Sequence, residues 1–136
     1  MKVMDLMTSD PLTVTPMETV DKANELMSEN NIRQIPVTRD GELIGIVTDR
    51  DIRAFLNAAL MNNPESREST LKTHVRDIMT TEPLFVGPDD DLREAVEMLI
   101  EQKFGAIPVV EEAEGLVGIL SYVDVLRYFL DQLQED

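Results

Sequence analysis

The chain has 136 residues, 43% of them hydrophobic and 29% charged, which is ordinary for a folded soluble domain or for two small halves sharing a core. Twelve Lys and Arg stand against 27 Asp and Glu, a net charge of −15 that argues against nucleic acid and against an anionic membrane surface, since both need clustered cations. There is no Cys, hence no disulfide and no thiolate metal site, and a single His, His74. No apolar run approaches the roughly 18 residues of a membrane span, no signal peptide opens the chain, and a cytoplasmic location fits the Cys-free composition.

In chain order, Met4–Met7 reads as a short helical turn and Pro11–Val14 as a short extended segment. Thr15, Pro16 and Glu18 form an N-cap, a first-turn proline and the third residue of a capping box, predicting a helix whose apolar stripe is Val20, Ala23, Leu26 and Met27. Ile35-Pro36-Val37 reads as a strand, Asp40-Gly41 as a hairpin turn, and Leu43–Val47 as a second strand covered on both faces. A second helix is expected from about Asp49, with Ile52, Phe55 and Leu56 on one side. Residues 57–73, with Asn62-Asn63-Pro64 at their centre, read as a linker.

The chain then repeats itself. Shifted by 72, residues 3–37 match 75–109 at fourteen of 35 positions, among them Met7, Thr8, Pro11, Leu12, Ile35, Pro36 and Val37. After one inserted residue the shift becomes 73, and Leu43, Gly45, Ile46 and Asp51 recur as Leu116, Gly118, Ile119 and Asp124, with Thr48 replaced by Ser121. The second copy's helices carry Leu92, Ala95, Val96 and Leu99, then Val125, Leu126 and Phe129. The expected organisation is residues 1–56 as repeat one, 57–73 as linker, and 74–136 as repeat two with a C-terminal helix. Each repeat is β-α-β-β-α and too small to be stable alone. The expected fold is therefore α/β, two repeats packed sheet to sheet with pseudo-two-fold symmetry and clefts along the seam.

The segments most informative about function are Gly45–Asp51 and Gly118–Asp124, each a strand that ends in a hydroxyl residue with an Asp three positions later in the first helical turn. A helix N-terminus offers free N–H groups and a positive dipole end. A hydroxyl and a carboxylate there can bond the diol of a ribose, and Gly45 and Gly118 are expected to let a flat ring approach the backbone. The same pattern is a capping box with Asp in place of Glu, and the two roles are compatible. His74 reads as a packing or surface residue. The Met residues read as core filling. Asp89-Asp90-Asp91 reads as the start of a helix rather than a cation site, and Gln134-Glu135-Asp136 as a solvated tail. No metal site is expected, no G-x-G-x-x-G, P-loop or H-E-x-x-H motif is present, and no enzyme is expected.

The doubled Gly-hydrophobic-x-Thr/Ser-x-x-Asp pattern resembles the CBS domain (named after cystathionine β-synthase). The upstream Asp-Ile/Leu-Met-Thr segments and the Ile-Pro-Val strands fit it too. The resemblance covers nearly the whole chain as one tandem pair, a Bateman module, and is nearest to stand-alone bacterial and archaeal pairs such as the acetoin-utilisation type. It implies a regulatory sensor, with AMP, ADP, ATP, S-adenosylmethionine or NAD as regulatory ligand and no catalytic cofactor. It implies one cleft formed by Ile46, Thr48 and Asp51 and completed by Thr80, Leu84, Phe104 and Gly105. The other would use Ile119, Ser121 and Asp124, completed by Thr8, Leu12, Ile32 and Arg33. Arg33 and Arg50 would attract phosphate; Gly105 and Val123 stand at the matching positions, so the two clefts are expected to differ in affinity. The partners expected are the adenosyl ligand, a second copy of the chain docked through helices 52–60 and 125–133, and an unidentified protein target. The competing expectation is a structural dimerisation module that binds no nucleotide.

Overall fold

The computed structural model describes residues 1–134; Glu135 and Asp136, the end of the acidic tail, lie outside the described residues. The chain forms two compact units that do not follow the repeat boundaries: one is Leu12–Pro83, the other combines Met1–Pro11 with Leu84 onward.

In the unit Leu12–Pro83, the strands are β2 (Gln34–Arg39), β3 (Glu42–Thr48) and β4 (Thr80–Thr81), in the order β2-β3-β4 and antiparallel throughout. Asp40 and Gly41 join β2 to β3 with φ of 54° and 82°, the two positive angles of a type I′ hairpin turn. Helices α1 (Val20–Asn30) and α2 (Asp49–Asn62) belong to this unit, followed by a 3-10 turn (Pro64–Ser66) and the short helix α3 (Arg67–Leu71). Residues 57–62 of the expected linker are thus the last turns of α2, and the linker continues into helical turns. The core is Val20, Ala23, Met27, Ile35, Val37, Val47, Ile52 and Leu56, closed by Val14 and Val75. Burying the Val, Ile, Leu and Met side chains among them stabilises by about 1.5–3 kcal/mol each before ordering entropy is counted.

Helix α1 begins four residues later than the Thr15-Pro16-Glu18 pattern predicts. Thr19 is the N-cap, its Oγ1 accepting from Lys22 N at 3.1 Å. The cause is tertiary: Arg76 N donates to Pro16 O (3.0 Å), Val75 N to Glu18 O (2.8 Å), and Val20 N to Thr73 O (2.8 Å). Residues 73–76 claim the backbone that would have formed the first turn, and residues 15–18 remain a turn. His74 takes part, its Nδ1 donating to Met17 O at 2.8 Å, which fixes the ring proton on Nδ1 because a carbonyl only accepts.

In the other unit, β1 (Thr8–Ser9), β6 (Gly115–Ser121) and β5 (Ala106–Glu111) form an antiparallel sheet in the order β1-β6-β5, with Thr8 opposite Ile119 and Ser9 opposite Gly118. Helices α4 (Leu92–Gln102) and α5 (Tyr122–Gln134) accompany it. Val3 is fully buried here with Val86, Ala95, Leu99, Ile107, Val109 and Leu120. The N-terminal strand of the first repeat therefore completes the sheet of the second, and β4, which opens the second repeat, completes the sheet of the first. Of the Asp run, Asp91 caps α4, its Oδ1 accepting from Arg93 N (3.0 Å), while Asp90 Oδ2 accepts from Gly87 N (2.8 Å) in the preceding loop and Asp89 pairs with Lys2 at 3.3 Å. Among the described residues no group of three or more His, Asp or Glu side chains is placed to hold a metal, and no helix is long and apolar enough to cross a membrane.

Candidate functional site

Each unit carries one strand-to-helix corner of the same construction. At the end of β3, Thr48 is the N-cap of α2: Asp51 N donates to Thr48 Oγ1 (3.1 Å), and Thr48 N donates back to Asp51 Oδ2 (3.0 Å). At the end of β6, Asp124 N donates to Ser121 Oγ (3.1 Å), and Ser121 N donates to Asp124 Oδ2 (2.9 Å). The capping box is therefore real at both corners, with Asp in the usual place of Glu. It fixes each carboxylate at the first turn of a helix, half-buried, next to a half-buried hydroxyl.

The corners are tied to the preceding chain in matched fashion. Asp49 N donates to Arg33 O (2.9 Å) and Tyr122 N to Gly105 O (3.1 Å). The strand that completes each sheet places Thr80 opposite Ile46 and Thr8 opposite Ile119. In one corner the threonine goes further: Thr8 Oγ1 donates to Asp124 Oδ1 at 3.2 Å.

The sequence-predicted site residues divide between the units. Ile46, Thr48, Arg50, Asp51 and Thr80 lie in Leu12–Pro83, as do Leu12, Ile32 and Arg33. Ile119, Ser121, Asp124 and Thr8 lie in the other unit, as do Leu84, Phe104 and Gly105. Within each unit the structure brings the strand residue, hydroxyl, carboxylate and threonine to one corner; the remaining members of each expected set belong to the opposite unit. Leu12, Leu84 and Phe104 are exposed, large apolar side chains without a core to fill.

Two findings were not read from the sequence. First, the glycines do not leave room for a ring. A Cβ on Gly45 would lie 2.6 Å from Met79 Sδ and 2.9 Å from Thr80 O; on Gly118 it would lie 2.6 Å from Met7 Sδ and 2.9 Å from Thr8 O. Gly45 and Gly118 are small because the completing strand and its methionine press against them. The recurrence of Met7 as Met79 under the 72-residue shift was the available signal. Second, Ile32 and Arg33 line a groove of about 480 Å³ between α1 and α2 that also exposes Asn24, Ser28 and Arg53. Arg53 donates to Asp49 Oδ2 at 3.4 Å, while Arg33 has no ion pair among the described residues. With Asp49 also lining the groove and paired to Arg53, the two guanidinium groups leave it one net positive charge on a chain of net charge −15. The matching positions of the second repeat are Val96, Ile100, Gly105 and Leu126, so that unit has no such cluster.

The CBS domain family profile matches residues 3–58 and 75–131. The protein YhcV of Bacillus subtilis, a CBS domain-containing protein, is 33% identical over 123 residues, 90% of this chain and 81% of that protein. The structure of CBSX2 of Arabidopsis thaliana in complex with AMP is 34% identical with a TM-score of 0.81, covering 96% of both chains. AcuB of Vibrio cholerae is 30% identical with a TM-score of 0.84, covering 98% of this chain and 93% of that one. An inosine-5'-monophosphate dehydrogenase of Korarchaeum cryptofilum is 35% identical over 116 residues, but the chain spans only 22% of its length. With two family matches, two copies of the strand-to-helix corner and two three-stranded sheets, the chain belongs to the CBS domain family as a pair of CBS repeats.

Proposed function

We propose that the chain is a regulatory sensor whose ligand is an adenosyl-containing metabolite. The observation that carries this reading is the doubled corner in which Thr48 and Asp51, or Ser121 and Asp124, hold a hydroxyl and a carboxylate side by side at a helix N-terminus. A carboxylate accepts the two hydrogens of a ribose diol, and the helix N-terminus adds a positive end that suits a phosphate. In this reading each corner is completed by apolar residues of the other repeat: Leu84, Phe104 and Gly105 for the Asp51 corner, Leu12 and Ile32 for the Asp124 corner. Arg33 and Arg50 supply the cations that a phosphate needs on an acidic chain. The AMP complex of CBSX2 supports this ligand class. No catalytic role is assigned: the carboxylates are engaged as caps. The module acts in the cytoplasm, as one partner of a second copy and of a protein target that reads the ligand state. A ligand shifts the chain between two states only by binding one of them more tightly.

The test is a thermal-shift series with AMP, ATP, S-adenosylmethionine and NAD on the wild type and on an Asp51→Ala, Asp124→Ala double variant. A ligand at a hundred times its dissociation constant stabilises by about 2.7 kcal/mol, a rise of several degrees in Tm. At least one of the four compounds is expected to give that rise in the wild type and not in the double variant. If none moves Tm, while Tm climbs with protein concentration, the chain is an assembly module and the sensor reading fails.

A further inference from the structure

We propose that Met7 and Met79 are matched oxidation sites: a peroxide converts each thioether to its sulfoxide, and the two-residue strand that the thioether holds then lets go. The inference rests on the thioethers and their packing, not on the ligand reading above. The two methionines are related by the 72-residue shift, and each is half-buried. Met79 packs against the core of Leu12–Pro83, and Met7 against the core that holds Val3 and Leu120. Each side chain then lies over a glycine, with Sδ 2.6 Å and Cγ 3.1 Å from where a Cβ would stand on Gly45 or on Gly118. The thioether fills the place of the missing side chain.

Half-burial is the setting in which oxidation is both possible and felt. Met1, Met4, Met17 and Met61 are exposed, Met61 at 86%, and none of them belongs to a core cluster. Met27 is 4% exposed and sits inside the core of Leu12–Pro83. Met7 and Met79 lie between these extremes, as does Met98, whose counterpart in the first repeat is Leu26.

The reaction consumes only the peroxide. A sulfur lone pair attacks one peroxide oxygen, and the S–O bond forms as the O–O bond breaks. The departing hydroxide takes the proton of the transferred oxygen and leaves as water. Sulfur gives up two electrons and the peroxide gains them. The product carries a polar oxygen that accepts hydrogen bonds. The polar atom beside each site is also an acceptor: Thr80 O lies 2.9 Å from the Cβ position on Gly45, and Thr8 O 2.9 Å from that on Gly118. A carbonyl has no hydrogen to donate, so the two oxygens repel where an apolar contact stood before.

The element that yields is the strand. Met7 leads directly into β1 and Met79 into β4. β1 pairs with β6 at Thr8 and Ser9 alone, and β4 with β3 at Thr80 and Thr81 alone. Segments with so few bonds open at little cost. Opening β1 also removes Thr8 Oγ1 from Asp124 Oδ1, which it reaches at 3.2 Å. Oxidation at Met7 is thereby registered at the Asp124 corner.

The test treats the full chain with rising doses of hydrogen peroxide. Peptide mass spectrometry reads the sulfoxide at each methionine, beside Tm and amide exchange. The exposed methionines are expected to oxidise first with Tm unchanged. Met7 and Met79 follow, with a fall in Tm of about 5 °C and faster exchange in residues 8–10, 42–48, 80–82 and 115–121. A Met7→Leu, Met79→Leu variant conserves apolar volume and should hold its Tm through the same dose, whereas Met98→Leu should fall with the wild type. Sulfoxide at Met7 and Met79 with Tm and exchange unchanged overturns the proposal. So does a fall in Tm that follows the Met61 or Met98 sulfoxide, or a Met7 and Met79 that stay thioethers until Met27 reacts. All three of these outcomes are read on the wild type, so they hold whether or not the double variant folds.

Discussion

Thr8 Oγ1 donates to Asp124 Oδ1 at 3.2 Å, whereas the matching Thr80 makes no hydrogen bond to Asp51 among the described residues. Asp124 thus has both oxygens engaged, Oδ2 by Ser121 N and Oδ1 by Thr8, while Asp51 has only Oδ2 engaged. The bond ties a two-residue strand to a helix more than a hundred positions away. A Thr8→Val variant is therefore expected to lose about 1 kcal/mol of stability, the net value of one such hydrogen bond. Thr80→Val should lose less than half of that. Urea unfolding of the two variants makes the comparison, and equal losses would mean that the Thr8 bond contributes nothing in solution.

Gly45 and Gly118 carry a second prediction. A methyl group at either position meets both a methionine sulfur and a backbone carbonyl oxygen under 3.0 Å. The sulfur is the end of a flexible side chain and can move; the carbonyl belongs to the pairing strand and cannot move without unpairing it. Gly45→Ala and Gly118→Ala are each expected to destabilise by about 1–3 kcal/mol, the usual cost of overpacking. Adding Met79→Ala to Gly45→Ala should recover only part of the loss. Full recovery would show that the sulfur alone sets the need for glycine.

Much of this architecture is legible in the residues. The 72-residue shift exposes the duplication, Asp40-Gly41 marks its turn, and Thr48-x-x-Asp51 and Ser121-x-x-Asp124 mark the two helix starts that build the corners. What the residues conceal is long-range. Thr8–Ser9 and Thr80–Thr81 are two-residue strands, too short to show a period of two, so nothing local says that each pairs in the sheet of the other repeat. Thr15-Pro16-Glu18 carries a complete local start signal, and it loses to three tertiary hydrogen bonds between residues 16–20 and residues 73–76. The glycines suggest space for a ligand because a sequence shows a missing side chain but not the methionine that takes its place.

The exchange of N-terminal strands makes a prediction that neither repeat makes alone. Val3 belongs to the core of the unit built from Leu84 onward, and Val75 to the core of Leu12–Pro83. Removing two buried methyl groups costs about 2 kcal/mol. In amide hydrogen exchange, Val3→Ala is expected to lower protection mainly in residues 84–134, and Val75→Ala mainly in residues 12–83. If Val3→Ala instead weakened residues 12–56 first, the first repeat would be folding as a self-contained block.

The composite assignment proposed above predicts a pattern of coupling in AMP titrations. If Arg33 completes the Asp124 corner, then Arg33→Ala and Asp124→Ala act on the same binding step, and Asp51→Ala acts on the other. Arg33 is exposed, so its bond to a phosphate is discounted by solvent; a loss of about tenfold in affinity is expected, near the lower end for hydrogen bonds to charged groups. Adenosine, which lacks the phosphate, should bind the wild type and Arg33→Ala alike, and the AMP effect should shrink as salt is raised. The decisive comparison is the double variant. If the Asp124 step is already abolished, adding Arg33→Ala changes nothing further, because both residues serve one site. If Arg33→Ala instead weakens the step that Asp51→Ala removes, the groove of Arg33 and Arg53 serves the corner of its own repeat, and the composite assignment is wrong.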